Sequence, residues 1–175
     1  KVLRDMTLAD IQRQRLEGEY EVLRRIQHRC LPRVHTFGYE PLPYFLMDKV
    51  DGTSLQARIE RKPLPLEAVV WIAREILDVL EVVHDKGVIH RDLKPSNIMI
   101  AEDDSALKVI DFGIAVTDAR KRITGSLELL GTHGYAAPEQ FEKGDIDHRV
   151  DIYGLGRVLQ EALLGGRLDR MDTIP

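Results

Sequence analysis

The octapeptide HRDLKPSN, residues 90–97, places Arg91, Asp92, Lys94 and Asn97 within seven positions. An exposed Asp or Asn is usually a turn former, and a lysine before a proline is by itself typical of a surface bend. Four such polar side chains in one short loop are better explained by a shared chemical task than by four separate turns.

The bulk composition predicts a soluble globular chain. Its 175 residues are 43% hydrophobic, which is enough to bury one sizeable core, and the net charge is −4 with both signs interspersed. Arg24-Arg25 and residues 120–122 are the densest basic spots and are typical of solvated faces, so no nucleic acid partner is predicted. The single Cys30 excludes an intramolecular disulfide and fits a reducing compartment.

No membrane segment is predicted in this chain. The longest unbroken apolar run, residues 68–73, is far shorter than the ~20 residues that span a bilayer. The N-terminus lacks the pattern of a secretion signal.

Hydrophobic periodicity predicts one helix and small antiparallel strands, followed by a mainly helical part. Thr7 resembles an N-cap, and a helix is expected from there to about Gln27, with apolar residues at spacings of 3 and 4. Gly87 and Gly165 are expected to end two later helices. The remaining predictions are strands over 34–39 and 44–50, a short helix capped by residues 51–54, helices over 66–85 and 151–164, and a hairpin joining 98–100 to 107–110.

Glu19 falls inside the apolar stripe of the first predicted helix, flanked by Leu16 and Leu23. A carboxylate on the inward face must meet a cation or a hydrogen-bond donor, because an unpaired buried charge costs several kcal/mol. The position of Glu19 therefore predicts a specific partner.

Three further motifs follow the octapeptide: DFG at 111–113, GTHGYAAPE at 131–139 and DIYGLG at 151–156. In order, identity and approximate spacing, the four motifs resemble the signature set of the eukaryotic-type serine/threonine protein kinases. The resemblance implies an α+β, bilobal protein-kinase-like fold that is truncated at both ends.

Two parts of that fold are expected. Residues 1–50 resemble part of the small lobe, with antiparallel strands, one helix and the hinge. Residues 51–175 resemble the N-terminal part of the mainly helical large lobe, with the catalytic and activation loops. No G-x-G-x-x-G precedes Lys1, so we expect a piece of a longer kinase that is weakly active or inactive alone.

The resemblance implies a role for each polar residue of the loop. Asp92 would accept the hydroxyl proton of the protein substrate, and Lys94 would reach the γ-phosphate of ATP. Asn97 and Asp111 would hold Mg²⁺, or Mn²⁺ as an alternative, through hard oxygen ligands.

The nucleotide site also has expected residues nearer the N-terminus. Lys1 resembles the strand lysine that holds the α- and β-phosphates and pairs with Glu19, although it could also be an arbitrary terminal residue. Met47 would be the gatekeeper of the adenine pocket, and the backbone of Asp48 and Val50 would bond the base. An ordinary half-buried strand is the alternative for these three residues, and both interpretations can hold together.

Other residues are implied to have structural roles. His90 and Phe112 are expected to pack between the lobes, and Asp151 is expected to brace the backbone of the catalytic loop. Glu139 is expected to be a buried carboxylate whose family partner is an arginine beyond Pro175.

Substrate class and control follow from the same resemblance. Lys94 and Thr132 resemble the serine/threonine branch, and Thr132 would bond between Asp92 and Lys94. Residues 31–34, 135–140 and 151–153 look like those of bacterial members. Arg91 beside the catalytic aspartate implies control by phosphorylation of the activation loop, with Thr124 or Ser126 as the expected sites.

Two functions remain open at this stage. The first is an ATP-dependent serine/threonine protein kinase, whose partners are ATP and protein substrates carrying Ser or Thr. The alternative is a non-catalytic, kinase-like (pseudokinase) binding or regulatory module, favoured by the absent glycine loop. The need for ATP and the sparse use of cysteine predict a cytoplasmic location, or the cytoplasmic face of a membrane if further chain carries an anchor.

Overall fold

The computed structural model describes residues 9–40, 42–112, 134–141 and 146–166. Its helices are α1 Ala9–Arg25, α2 Leu55–Ile59, α3 Leu66–Asp85 and α4 Arg149–Leu164, and short 3₁₀ turns cover Pro95–Asn97 and Pro138–Gln140. The strands are β1 Val34–Gly38, β2 Tyr44–Met47, β3 Thr53–Ser54, β4 Ile98–Ile100 and β5 Leu107–Val109. None of these helices combines the length and apolarity that a membrane crossing needs.

The predicted elements are present wherever the structure describes the chain. The helix over 66–85 has the expected bounds, whereas α1 ends two residues before Gln27, and α4 begins two residues before Asp151. The prediction for β2 was wrong at its end, because the strand stops at Met47 instead of continuing to Val50. The expected N-cap Thr7 lies outside the described residues.

Helix α1 packs on the antiparallel pair β1–β2 through the stripe that the sequence predicted. Leu16, Leu23 and Ile26 are buried on that face. The ring of Tyr20 lies 5.4 Å from that of Phe37 and 6.1 Å from that of Phe45, measured between centroids. Aromatic pairs at such separations add to the energy of burial, so this cluster fixes the helix to the sheet.

The second layer is built on α3, which packs against α4. The buried residues of α3 recur at helical spacing: Val69, Ile72, Ile76, Val79, Leu80 and Val83. Gly87, with φ of 72°, follows the end of α3, and Gly165, with φ of 70°, caps α4. Both glycines adopt the left-handed conformation that ends helices, as predicted.

A three-stranded antiparallel sheet, ordered β3-β4-β5, carries the predicted hairpin. The Ser54 hydroxyl accepts a hydrogen bond from the Ala57 amide at 3.2 Å, which caps α2 as expected. This sheet delivers the end of β5 to the loop at 90–97.

The segment between α1 and β1 joins the two layers. The amide of Val109 donates to the carbonyl of Cys30 at 2.8 Å, and the Arg29 guanidinium donates twice to Glu75 of α3 at 3.1 Å. Burial, together with a hydrogen bond to Glu75, raises the pKa of the Cys30 thiol to about 12. Cys30 is therefore an unreactive packing residue in the segment between α1 and β1.

We expect Gly52→Ala to lower the free energy of unfolding by about 2 kcal/mol or more. Gly52 has φ of 130°, and an added Cβ would lie 2.2 Å from the carbonyl oxygen of Ile100. The matched control is Gly156→Ala on α4, where an added Cβ meets no atom within 4 Å. There we expect a gain of roughly 0.5–1 kcal/mol. Urea unfolding followed by circular dichroism measures the stability of both variants. Equal stabilities of the two variants would contradict the predicted clash at Gly52.

Candidate active site

A buried carboxylate on α4 holds the backbone of the 90–97 loop. Asp151 is 1% exposed, and its two oxygens accept the amide N–H groups of His90 and Arg91, each at 2.8 Å. His84 Nε2 lies 2.8 Å from the same carboxylate. Burial acts to raise the pKa of Asp151, but His84 and the hydrogen bonds from the loop outweigh it and hold the pKa below its ordinary value. Asp151 is therefore a charged brace.

Two residues of the site have left-handed backbones that are uncommon outside glycine. Arg91 has φ of 65° and Asp111 has φ of 55°. The amide of Arg91 is held by Asp151, and its carbonyl accepts a bond from Gln140 Nε2 at 3.0 Å. Strained residues persist only where the surroundings determine them, and they cluster at functional sites.

The loop brings Asp92, Lys94 and Asn97 together. The ammonium of Lys94 lies 2.7 Å from Asp92 Oδ2, and both side chains are about a quarter exposed. The Asn97 amide nitrogen donates to the backbone carbonyl of Asp92 at 3.0 Å and approaches Asp92 Oδ2 at 3.4 Å. A partly exposed carboxylate and cation thus lie beside the amide of Asn97, which is itself buried.

The end of β5 brings Asp111 to the same loop. The amide of Ile110 donates to the backbone carbonyl of Asn97 at 2.8 Å, and Asp111 is the next residue. Beneath them, the His90 ring packs on Phe112 with centroids 4.6 Å apart, and His90 Nδ1 accepts the amide of Asp92 at 3.3 Å. Burial lowers the pKa of His90, although the charges of Asp151, Asp92 and Asp111 oppose the shift. His90 is therefore a neutral packing side chain.

The donor set fits a hard divalent cation. The Asn97 amide nitrogen is directed at Asp92, which leaves its Oδ1, contacted by the Ser96 hydroxyl at a long 3.5 Å, as the oxygen for a cation. Asp111 supplies a half-buried carboxylate. Among the described residues, no three His, Cys, Asp or Glu side chains form a metal cluster. Few protein ligands are the usual arrangement where nucleotide phosphates and water complete the shell of Mg²⁺.

The expected hinge lies directly after β2. Met47 is partly buried against the core. The amide of Asp48 donates to the carbonyl of Arg33 at 2.8 Å, and its carboxylate lies 2.7 Å from His35 Nε2. Because the Asp48 amide already donates to Arg33, the carbonyl of Asp48 is the backbone group that could bond an adenine.

Several expected residues lie elsewhere or outside the described ranges. Glu19 is 5% exposed on the inner face of α1, as its place in the stripe predicted. Lys1, Thr124, Ser126 and Thr132 lie outside the described residues. Glu139 was expected to be buried, but it is half-buried, because it lies in the 3₁₀ turn at the surface near Arg149.

The segment 134–141 is fixed by polar residues that the sequence analysis missed. Tyr135 donates to the fully buried Glu161 of α4, and Arg157 Nε donates to the carbonyl of Gly134 at 2.8 Å. Glu161 lies among the buried positions of α4, so the reasoning that singled out Glu19 could have found it. Gln140 offered no comparable signal.

Comparisons with known proteins agree with the geometry. The family described as "Protein kinase domain" matches residues 1–171. The chain is 38% identical over 153 residues to serine/threonine-protein kinase PknL of Mycobacterium tuberculosis, covering 86% of the chain and 38% of that relative. It is 37% identical to PknH of Mycobacterium bovis, covering 92% of the chain and 27% of the relative.

A solved kinase-domain structure also matches this chain. The PknI kinase domain of Mycobacterium tuberculosis superposes with a TM-score of 0.75 at 28% identity, covering 95% of this chain and 63% of that one. The chain therefore spans well under half the length of the curated relatives PknL and PknH.

We expect Asp151→Asn to lower the free energy of unfolding by about 2–4 kcal/mol, because the amide cannot accept all the bonds of the buried carboxylate. The pKa of Asp151 is lower in the folded chain than its ordinary 3.8, so its contribution is complete above that pH and is lost as the pH falls further. The difference in free energy of unfolding between the unmodified protein and Asp151→Asn should therefore become smaller at acidic pH. Denaturant titrations over a pH series measure it.

The control is Asp85→Asn, a change of the same kind at an exposed position at the end of α3. We expect it to alter stability by less than about 0.5 kcal/mol. Equal losses in the two variants would contradict the role of Asp151.

Proposed function

Because this chain belongs to the protein kinase family, we propose that the protein carrying it transfers the γ-phosphate of ATP to serine and threonine hydroxyls of protein substrates. The observation that carries this proposal is the meeting of Asp92, Lys94 and Asn97 on one loop, with Lys94 2.7 Å from Asp92. The curated relatives are named serine/threonine kinases and support this substrate class. Residues 1–50 would belong to the small lobe and residues 51–175 to the large lobe.

Asp92 would act as the base. Its carboxylate is partly exposed, so the hydroxyl of a substrate can reach it. As the hydroxyl oxygen bonds to the γ-phosphorus and the bond from that phosphorus to the bridging oxygen of ADP breaks, the hydroxyl proton passes to Asp92. Bases placed in this way contribute about 10²–10⁴ in rate.

Lys94 and the cation ligands would stabilise negative charge. Lys94, adjacent to Asp92, can place its ammonium on the γ-phosphate while the hydroxyl approaches the carboxylate. Asn97 Oδ1 and Asp111 would hold the cation, for which we propose Mg²⁺, with Mn²⁺ as an alternative. Such a cation, when bound, neutralises the charge of the phosphates.

The adenine would lie against the segment after β2. The Asp48 carbonyl and the Val50 backbone would bond the base, and Met47 would border the pocket. Glu19 would pair with Lys1, and Lys1 would hold the α- and β-phosphates. We place this activity in the cytoplasm, since ATP is available there and the only cysteine of the chain, Cys30, is a free thiol.

The non-catalytic alternative has less support. A binding module has no need to keep the base, the lysine and both cation ligands, yet Asp92, Lys94, Asn97 and Asp111 are all present and connected through the loop and β5. We therefore favour catalysis.

Arg91 would link activity to phosphorylation. Its Nε is buried without a hydrogen-bond partner among the described residues. Burial also lowers the pKa of the guanidinium, which Asp151 partly offsets. A phosphate on Thr124 or Ser126 would supply the acceptors that this guanidinium needs.

We expect the double change Thr124→Ala and Ser126→Ala to reduce kinase activity about tenfold, a typical coupling between a regulatory and an active site. Phosphate incorporation into a protein substrate measures it, with Thr117→Ala as the control. In an Arg91→Met background the same two changes should have little further effect. Full activity of the double variant would refute the link.

Asp92→Asn should lower kcat by about 10²–10⁴ while ATP binding is retained, because the amide cannot accept the proton. Asp111→Asn should instead weaken binding of the cation–nucleotide complex, and Asp85→Asn should do neither. Transfer of labelled phosphate and equilibrium nucleotide binding separate the three variants. Undiminished transfer by Asp92→Asn would overturn the proposed function.

A further inference from the structure

We propose that Gln140 is a positioning residue that sets the orientation of the base Asp92 through the peptide bond between Arg91 and Asp92. This inference rests on the proposed function and adds to it a residue that acts from the 134–141 segment.

Gln140 is placed to make two specific hydrogen bonds. It is 4% exposed, and its Nε2 donates to the carbonyl of Arg91 at 3.0 Å while its Oε1 accepts the amide of Ala137 at 2.9 Å. One partner is an acceptor and the other a donor, so the orientation of the side-chain amide is determined by its surroundings. A buried amide with both bonds satisfied is rigid.

The carbonyl that Gln140 holds belongs to the peptide plane that leads into the base. The carbonyl of Arg91 and the amide of Asp92 lie in one planar unit. His90 Nδ1 accepts the Asp92 amide at 3.3 Å, so His90 holds one side of the plane and Gln140 the other. A rotation of this plane would turn the Cα–Cβ bond of Asp92 and move its carboxylate away from Lys94.

The backbone at this point needs such support. Arg91 has φ of 65°, a conformation that is costly for a residue other than glycine. Asp151 fixes the amide of Arg91, but that bond lies on the preceding peptide plane. Gln140 therefore supplies a restraint that Asp151 cannot.

A purely structural role would be to hold the 134–141 segment in place. That segment is also bound to α4, through Tyr135 to Glu161 and through Gly134 to Arg157. Loss of Gln140 should therefore affect the base more than the fold of the segment.

Two variants of the full-length protein test the proposal. Gln140→Met removes both bonds at similar volume, and we expect kcat to fall about five- to tenfold with the KM for ATP changed less than about twofold. Gln56→Met, a change of the same kind at a glutamine of α2 that bonds only the exposed Glu60 among the described residues, is the control and should leave both constants unchanged. Each kcat is referred to the folded fraction measured by circular dichroism.

Gln140→Glu provides a readout that a structural role would not move. Its carboxylate can still accept from Ala137 but repels the Arg91 carbonyl, whereas the protonated form can donate to it. The activity of this variant relative to the unmodified protein should therefore rise as the pH falls from about 8 to about 6, since burial raises a carboxyl pKa. Arg91, His90, Asp92, Glu139 and Asp151 are common to both proteins, so the ratio isolates the introduced group.

The outcomes are distinct. A lower kcat for Gln140→Met together with a rising ratio for Gln140→Glu supports the proposal. Unchanged kcat in both variants, a loss that follows only the unfolded fraction, or a ratio independent of pH overturns it. If the unmodified protein transfers no phosphate, the proposed function itself fails.

Discussion

The interaction on which the site depends is the acceptance of two consecutive loop amides by the carboxylate of Asp151. The donors come from His90 and Arg91, about 60 residues earlier in the chain, and both bonds are 2.8 Å long. Because the acceptor is ionised, these bonds are stronger than neutral ones. Helix α4 thereby dictates the path of the loop, and α3 contributes through His84 to the same carboxylate. Helices α3 and α4 together therefore hold the backbone of the loop at His90 and Arg91.

The position of Asp92 follows from a chain of such restraints. Asp151 holds the amide of Arg91, Gln140 holds its carbonyl, and His90 accepts the next amide. Asn97 then bonds the carbonyl of Asp92 itself, and its own carbonyl accepts Ile110 from the end of β5. The backbone amides and carbonyls of Arg91 and Asp92 thus all have partners, which is the preorganisation that the proposed base would require.

Local patterns in the sequence predicted most elements, and the motifs supplied the candidate site residues, whose roles stay predictions. The helix over 66–85 and the hairpin were found because apolar spacing and glycine stops are local signals. Burial of Glu19 followed from one charge in an apolar stripe. The end of β2 was mispredicted: the last paired residue is Met47, opposite Val34, and the charged residues Asp48 and Lys49 interrupt the apolar residues before Val50. Gln140 was missed because its partner Arg91 lies 49 residues away, and no local pattern encodes such a contact.

The same restraints explain why the side chain of Arg91 is unusual. Its backbone amide and carbonyl are both bonded in a left-handed conformation, and its Nε is buried without a partner among the described residues. An unsatisfied buried donor costs about 1–3 kcal/mol. The backbone of Arg91 cannot shift without breaking its bonds to Asp151 and Gln140. We propose that an acceptor from outside the described residues relieves this cost, and a phosphate group, with its charge and several oxygens, suits a guanidinium. On this proposal, the backbone bonds that hold Asp92 in place also hold Arg91 where its guanidinium can bind a phosphate.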